Sequence, residues 1–149
     1  MNFKLQYGED FDENYLKRIM EIDEIVYAED GYVGELKNMV ARYLVDPRQF
    51  VCIEDTESGR LAGYINFIPC TKALYEDIRY QSEHIRDDDI RPQELEPLKQ
   101  TGNDLFIISI ALHPDFKDTD AIKDLSNGWI DYLNRLETSG YPITSITAT

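Results

Sequence analysis

The sequence is poor in cysteine, in histidine and in positive charge, and no apolar run in it approaches the length that a membrane span requires. Each shortage excludes something. The two cysteines, Cys52 and Cys70, lie in apolar, strand-like runs without CxxC spacing and without a histidine beside them. A zinc site and a disulfide framework are thereby excluded, and reduced core thiols of a cytosolic protein are the expectation. With 15 Lys and Arg against 29 Asp and Glu the net charge is −14. Such a chain repels nucleic-acid backbones and anionic membranes, and it attracts cations, amines or basic protein surfaces. The opening residues MNFKLQYGEDFDEN carry no apolar signal segment, so a soluble, cytoplasmic protein is expected.

What is present is a chain of alternating periodicities. Its 149 residues suit one domain, in which roughly two thirds of the unfolded surface can be buried. Phe3, Leu5 and Tyr7 alternate with polar neighbours as in a strand, and Gly8, Asp10 and Asp12 supply a turn and an N-cap. A helix is predicted from about residue 13, with Leu16, Ile19, Met20, Val26 and Tyr27 at helical spacing and Glu29, Asp30 and Gly31 closing it. Leu36, Met39, Val40, Tyr43 and Leu44 mark a second helix, which Asp46 and Pro47 terminate.

Residues 50–54 and 61–68 read as an antiparallel hairpin across DTESGR, and the second strand, apolar at both parities except for Asn66, should be covered on both faces. Residues 69–103 form a polar excursion with scattered Leu74, Ile78 and Ile85 and one short helix near 72–79. The run Asp87, Asp88, Asp89 lacks the alternating ligands, bend glycine and distal glutamate of a calcium loop, so an acidic loop is expected there and no metal. A central strand follows over 105–112, ended by Pro114. Ile122, Leu125, Trp129, Leu133 and Leu136 then define one apolar stripe of a long helix. Gly140 suits its left-handed C-cap, and 143–149 reads as a last strand whose edge would be uncovered.

The segment ISIALHPDFKDTDAIKDL, residues 108–125, carries a resemblance. Together with the element order it resembles the GCN5-related N-acetyltransferase family, in which a strand ending aliphatic-x-Pro-x-aromatic runs into an Arg/Gln-x-x-Gly-x-Gly/Ala loop and a helix. The resemblance implies an α+β, acyl-CoA N-acyltransferase-like fold: a mixed, mostly antiparallel sheet flanked by helices, here without the family's last helix and strands, as in a fragment or a shortened version. Ile110, Ala111 and Leu112 match the strand end whose backbone pairs with the pantetheine arm of acetyl-CoA, while Pro114 and Phe116 match the proline and the aromatic. Lys117, Asp118, Thr119, Asp120, Ala121 and Ile122 match the pyrophosphate loop, with Asp120 and Ile122 where small residues stand. The implied activity is transfer of an acetyl group to an amine of a small molecule or a basic protein.

Two outcomes stay open at that loop. A positive φ would cost an ordinary residue about 1 to 2 kcal/mol. One carboxylate about 5 Å from a phosphate costs roughly 1 kcal/mol in water and about 3 at an effective dielectric near 20. Alternatively Asp118, Thr119 and Asp120 cap the helix themselves, which contributes roughly 0.3 to 1 kcal/mol through the helix dipole. The first outcome is an enzyme; the second is a binding or assembly module without coenzyme A. His113 is read as a turn histidine or a base near the acyl group, and Ser109 as a locally bonded strand serine. Glu21, Asp23 and Glu24 are read as a solvated helix face or an amine-binding wall, and His84 has no visible role. No general acid or base is assigned, and pairing of the last strand between two copies would give a homodimer.

Overall fold

The computed structural model describes residues 1–28, 34–80 and 90–148. Glu29, Asp30, Gly31, His84, Ile85 and the run Asp87, Asp88, Asp89 therefore lie outside the described residues. The elements are β1 (Phe3–Tyr7), α1 (Glu13–Val26), α2 (Leu36–Tyr43), β2 (Phe50–Asp55), β3 (Leu61–Pro69), α3 (Lys72–Tyr80), β4 (Asn103–Leu112), α4 (Ala121–Thr138) and β5 (Ile143–Ala148). The strands form one five-stranded sheet in the order β1-β2-β3-β4-β5. The first three pairings are antiparallel, and β4 with β5 is parallel, as the helical crossover through α4 permits. None of the helices described is long and apolar enough to cross a membrane.

Binary patterning explains the two faces. Val51, Ile53, Ile65, Phe67 and Leu105 meet Ala121, Leu125, Tyr132 and Leu136 of α4 on one face. Phe50, Cys52, Tyr64 and Ala111 meet Leu16, Ile19 and Ile22 of α1 and Met39 and Tyr43 of α2 on the other. β3 is buried along its whole length, as a strand apolar at both parities requires. Cys52 and Cys70 are both free and buried; burial drives the Cys52 thiol well up and the Cys70 thiol to about 12.

The helix ends are chemically explicit. Asp12 caps α1 by accepting from the Tyr15 amide at 2.8 Å. At the other end of the fold Gly140 takes φ +100° and closes α4 in a Schellman turn. Its N–H bonds Glu137 O at 3.1 Å, and that of Tyr141 bonds Leu136 O at 2.9 Å.

Two apolar positions depart from the expected stripes. Leu44 is 70% exposed, because it is the C-cap of α2, one step past the last residue the helix turns inward. Ile122 is 41% exposed, because the buried line of α4 runs through Ala121, Leu125, Gly128, Tyr132 and Leu136, with Trp129 and Leu133 at its margin. The stripe is real but rotated by about one position from the one the large residues suggest.

Candidate functional site

Register shifts interrupt the sheet at Ile53/Glu54 of β2, at Asn103/Asp104 of β4 and, within β4, opposite Asn66/Phe67 of β3. Asn66 faces Ser109 while Phe67 faces Ile107, so Ile108 is an extra residue, a β-bulge. The bulge turns two consecutive side chains to the same face. Ile108 packs with Leu74 and Ile78 of α3, and Ser109 Oγ lies 2.8 Å from the Tyr64 hydroxyl of β3.

Among the described residues, β4 beyond the bulge is paired on one side, by β3, and its pairing with β5 is described as far as Ile107 opposite Ala148. His113 N–H donates to Ala62 O on β3 at 2.7 Å. Backbone groups alternate along an antiparallel pair, so Ala111 also turns toward β3, whereas Ile110 and Leu112 direct their amides and carbonyls away from it. The Tyr27 hydroxyl, at the end of α1, donates to that outward carbonyl of Ile110 at 3.0 Å. Ile110 itself is 44% exposed while Ala111 beside it is buried. Of the strand-end residues picked out in the sequence, Ile110 and Leu112 present backbone to this edge and Ala111 anchors the strand.

A chain of polar side chains runs from the bulge to α1. Tyr64, almost wholly buried, donates its hydroxyl to the Asp23 carboxylate and accepts from Ser109. Asp23 is thus half-buried and bonded inward, which corrects the expectation of a solvated face for it; Glu21 and Glu24 are exposed, Glu21 in the wall of a cleft with Arg18, Arg60 and His113. Nearby, Tyr15 donates to Glu54 Oε2 at 2.5 Å, and Arg18 Nη1 stands 3.8 Å from the same carboxylate. Burial, with Cys52 and Glu54 alongside, holds the Tyr15 phenol protonated. Tyr27 and Tyr64 were missed by sequence reasoning; only the fold brings them to β4, since tyrosines at such spacings also read as core.

The loop between β4 and α4 takes a different path from the one the glycine pattern implies. No non-glycine residue among those described has a positive φ. After the turn Pro114–Phe116, Lys117 is in the right-handed helical region and Asp120, in place of glycine, has φ −77°, so it carries no left-handed strain. Of the three side chains expected to cap the helix, Asp120 occupies the N-cap position but makes no capping bond. Thr119 does that work, accepting from Ala121 N at 3.2 Å and donating to Phe116 O at 2.6 Å. Lys117, Asp118 and Asp120 are exposed. His113 is mostly buried, its Nδ1 accepting from the Asp115 amide at 3.1 Å, and it sits past the strand end rather than at the bulge. Among the described residues no cluster of His, Cys, Asp or Glu could hold a metal ion.

No protein-family model matches the chain. No curated protein matches it in sequence. Solved structures do match in fold. The loading GNATL domain of CurA from Lyngbya majuscula superposes with TM-score 0.67 at 11% identity, over 99% of this chain and 65% of that one. The GphF GNAT-like decarboxylase in complex with isobutyryl-CoA matches with TM-score 0.62 at 10% identity, over 87% of this chain and 58% of that one. AAC(6')-Iy in complex with the bisubstrate analogue CoA-S-monomethyl-acetylneamine matches with TM-score 0.54 at 9% identity, over 100% of this chain and 80% of that one. The chain spans less than two thirds of the length of the first two. Its fold is that of the GCN5-related N-acetyltransferases: a mixed, mostly antiparallel five-stranded sheet flanked by helices.

Proposed function

We propose that the protein is an acyl-CoA-dependent N-acyltransferase, with acetyl-CoA as donor and a primary amine of a small molecule or a basic protein as acceptor. The edge of β4 beyond the Ile108 bulge, turned away from β3, carries this reading, because it presents the amides of Ile110 and Leu112 and the Leu112 carbonyl to an amide-bearing arm, with the Ile110 carbonyl shared with the Tyr27 hydroxyl. An arm with two amides fits such an edge as an added strand would. Two of the similar structures hold coenzyme A derivatives, which supports the same choice.

The thioester would supply an activated acyl carbon and depart as a thiol once its sulfur takes a proton from solvent; holding the carbonyl and deprotonating the amine fall to the chain. Backbone N–H groups beside the bulge hold the carbonyl oxygen as negative charge develops on it, and they do so without reorganising, since β4 is fixed by β3. The amine must lose a proton to act as a nucleophile. The path from Ser109 through Tyr64 to the Asp23 carboxylate leads such a proton away from β4, with each hydroxyl donating toward the carboxylate. Asp23 also favours a cationic acceptor over an anionic one, in keeping with the net charge of −14. Placement in the cytoplasm and pairing into a homodimer belong to the same proposal.

The module reading rests on one observation: Thr119 already takes the Ala121 amide, and Asp118 and Asp120 present carboxylates where phosphate would approach. Isothermal titration with acetyl-CoA separates the two. Saturable binding in the micromolar range supports the enzyme; no heat at millimolar ligand supports the module.

A further inference from the structure

Over 61–69 and 105–112 the facing strands β3 and β4 are apolar at both parities, apart from Asn66 in the one and Ser109 in the other. Where a strand has one polar face, turning it by one residue exposes apolar groups and buries polar ones, and that penalty sets the register. Here such a turn exchanges apolar for apolar. The two polar residues must therefore set the register, and they stand opposite each other at the step where it shifts.

Asn66 is 4% exposed and Gln49, the residue before β2, is 2% exposed. Gln49 Nε2 donates to Arg42 O at 2.9 Å and to Asp46 O at 2.8 Å. Both partners are backbone carbonyls, which only accept, so the Gln49 amide has one orientation and its Oε1 is left to face Asn66. Asn66 Nδ2 donates to that oxygen at 2.9 Å and to Gln49 O at 3.1 Å. The end of α2, the turn before β2 and the middle of β3 are thus tied together with both amides fixed in orientation. An apolar residue at 66 with an apolar partner would be buried without desolvating an amide, so stability alone does not require this pair. What the amide adds is a direction: only the face that carries Gln49 satisfies it.

The direction passes along β3. Tyr64 lies two residues before Asn66, and the pleat puts both on one face. Holding Asn66 to Gln49 therefore holds Tyr64 toward α1, where its hydroxyl meets Ser109 and Asp23. Ser109 follows the extra residue Ile108, so the same brace reaches the bulge. If β4 ran past β3 without the bulge, Ser109 would turn to the α4 face, and Ile110 and Leu112 would turn their backbone groups to β3. Neither the path to Asp23 nor the edge offered to the acyl donor would survive.

We propose that Asn66 and Gln49 are positioning residues for the acyl transfer, a buried amide pair that holds β3 in register at the bulge. The inference rests on the acyltransferase reading and adds to it the residues that keep Tyr64 and the donor edge in place.

The test compares wild type with three variants of the full chain: Asn66→Leu, Asn66→Ser, which keeps one donor, and Leu136→Ala, a core truncation on α4 outside this brace. Amide hydrogen exchange by NMR, urea unfolding and titration calorimetry with acetyl-CoA are measured on each. The amides of Tyr64, Ser109 and Ala111 lie between β3 and β4. In Asn66→Leu they should exchange at least about tenfold faster relative to the rest of the sheet, and acetyl-CoA should bind about tenfold or more weakly. Asn66→Ser should recover part of both. Leu136→Ala, which loses stability by leaving a cavity, should speed exchange evenly across the sheet and move the affinity of the folded protein by less than about threefold. Wild-type exchange at these three amides, or wild-type affinity, in Asn66→Leu would overturn the inference while leaving the acyltransferase reading intact. So would an equal loss of affinity in Leu136→Ala at a matched loss of stability. If Asn66→Leu does not fold, Asn66→Ser decides by the same two readings. Absence of acetyl-CoA binding by wild type would overturn the acyltransferase reading itself and the positioning role with it.

Discussion

Asp46→Ala should be among the most damaging single substitutions in this chain. Asp46 caps the turn before β2, and its side chain, 5% exposed, gathers four donors. Arg48 N binds at 2.9 Å, Arg48 Nε at 3.0 Å and Arg48 Nη2 at 2.9 Å. The fourth, Leu98 N at 2.9 Å, ties in the connector that leads to β4. Alanine leaves a partly buried guanidinium and a buried amide without that partner. Breaking a buried pair costs about 3 to 5 kcal/mol, in which the unsatisfied Leu98 amide, about 1 to 3 kcal/mol, is included. At about 2 to 4 °C per kcal/mol for a chain of this size, the melting midpoint should fall by about 6 to 20 °C. Asp46→Asn, which keeps one acceptor, should lose about half as much.

The acid dependence carries a sign. Burial pushes the Asp46 carboxyl up, but the bonds from the Arg48 side chain, the Leu98 amide and the Arg48 amide together hold it below the ordinary value of 3.8. A carboxyl depressed on folding contributes stability that is complete above the unfolded value and is lost as the pH falls through the folded one. The gap between wild type and Asp46→Ala, measured by urea unfolding, should therefore be constant near neutrality and narrow below about pH 4. A loss under about 1 kcal/mol at pH 7, or a gap that widens in acid, would refute the reasoning.

Other substitutions probe the site and the core. Tyr27→Phe frees the outward carbonyl of Ile110, so acetyl-CoA should bind about two- to tenfold tighter in titration calorimetry, since one hydrogen bond no longer competes. In Gly63→Ala the new Cβ would stand 2.7 Å from the Ala111 carbonyl, so the end of β4 must shift. Stability should drop by about 1 to 3 kcal/mol in urea and acetyl-CoA binding should weaken with it. Cys52 and Cys70, both buried and Cys70 raised to about 12, should be inert to a thiol-colour reagent in the native protein; both should react on unfolding.

Periodicity made the elements readable and left the site's details hidden. Phe3, Leu5 and Tyr7, or Leu16 and Ile19, carry their burial in their spacing, and the backbone repeat converts spacing into a face. The bulge at Ile108 has no such mark, because ISIAL contains neither glycine nor proline to betray an extra residue. The stripe of α4 was displaced because small residues, Ala121 and Gly128, lie on its buried line, Gly128 directly against Leu5 of β1, and a search for large apolar residues skips them. The path of the loop after β4 was hidden for another reason: the family pattern implies left-handed glycines, whereas the chain from the turn Pro114–Phe116 enters α4 without a residue of positive φ. Asp23, Tyr64 and Ser109 meet from three elements, so no spacing in the sequence could have joined them.

The account stands on the edge of β4 as the seat of the acyl donor. Amide-resolved NMR of the labelled chain, titrated with acetyl-CoA, tests this directly. The amides of Ile110 and Leu112 should shift and gain exchange protection, with Ala111, already turned to β3, changing least of the three. Saturable binding that leaves these amides unmoved, or shifts confined to another face of the sheet, would contradict it.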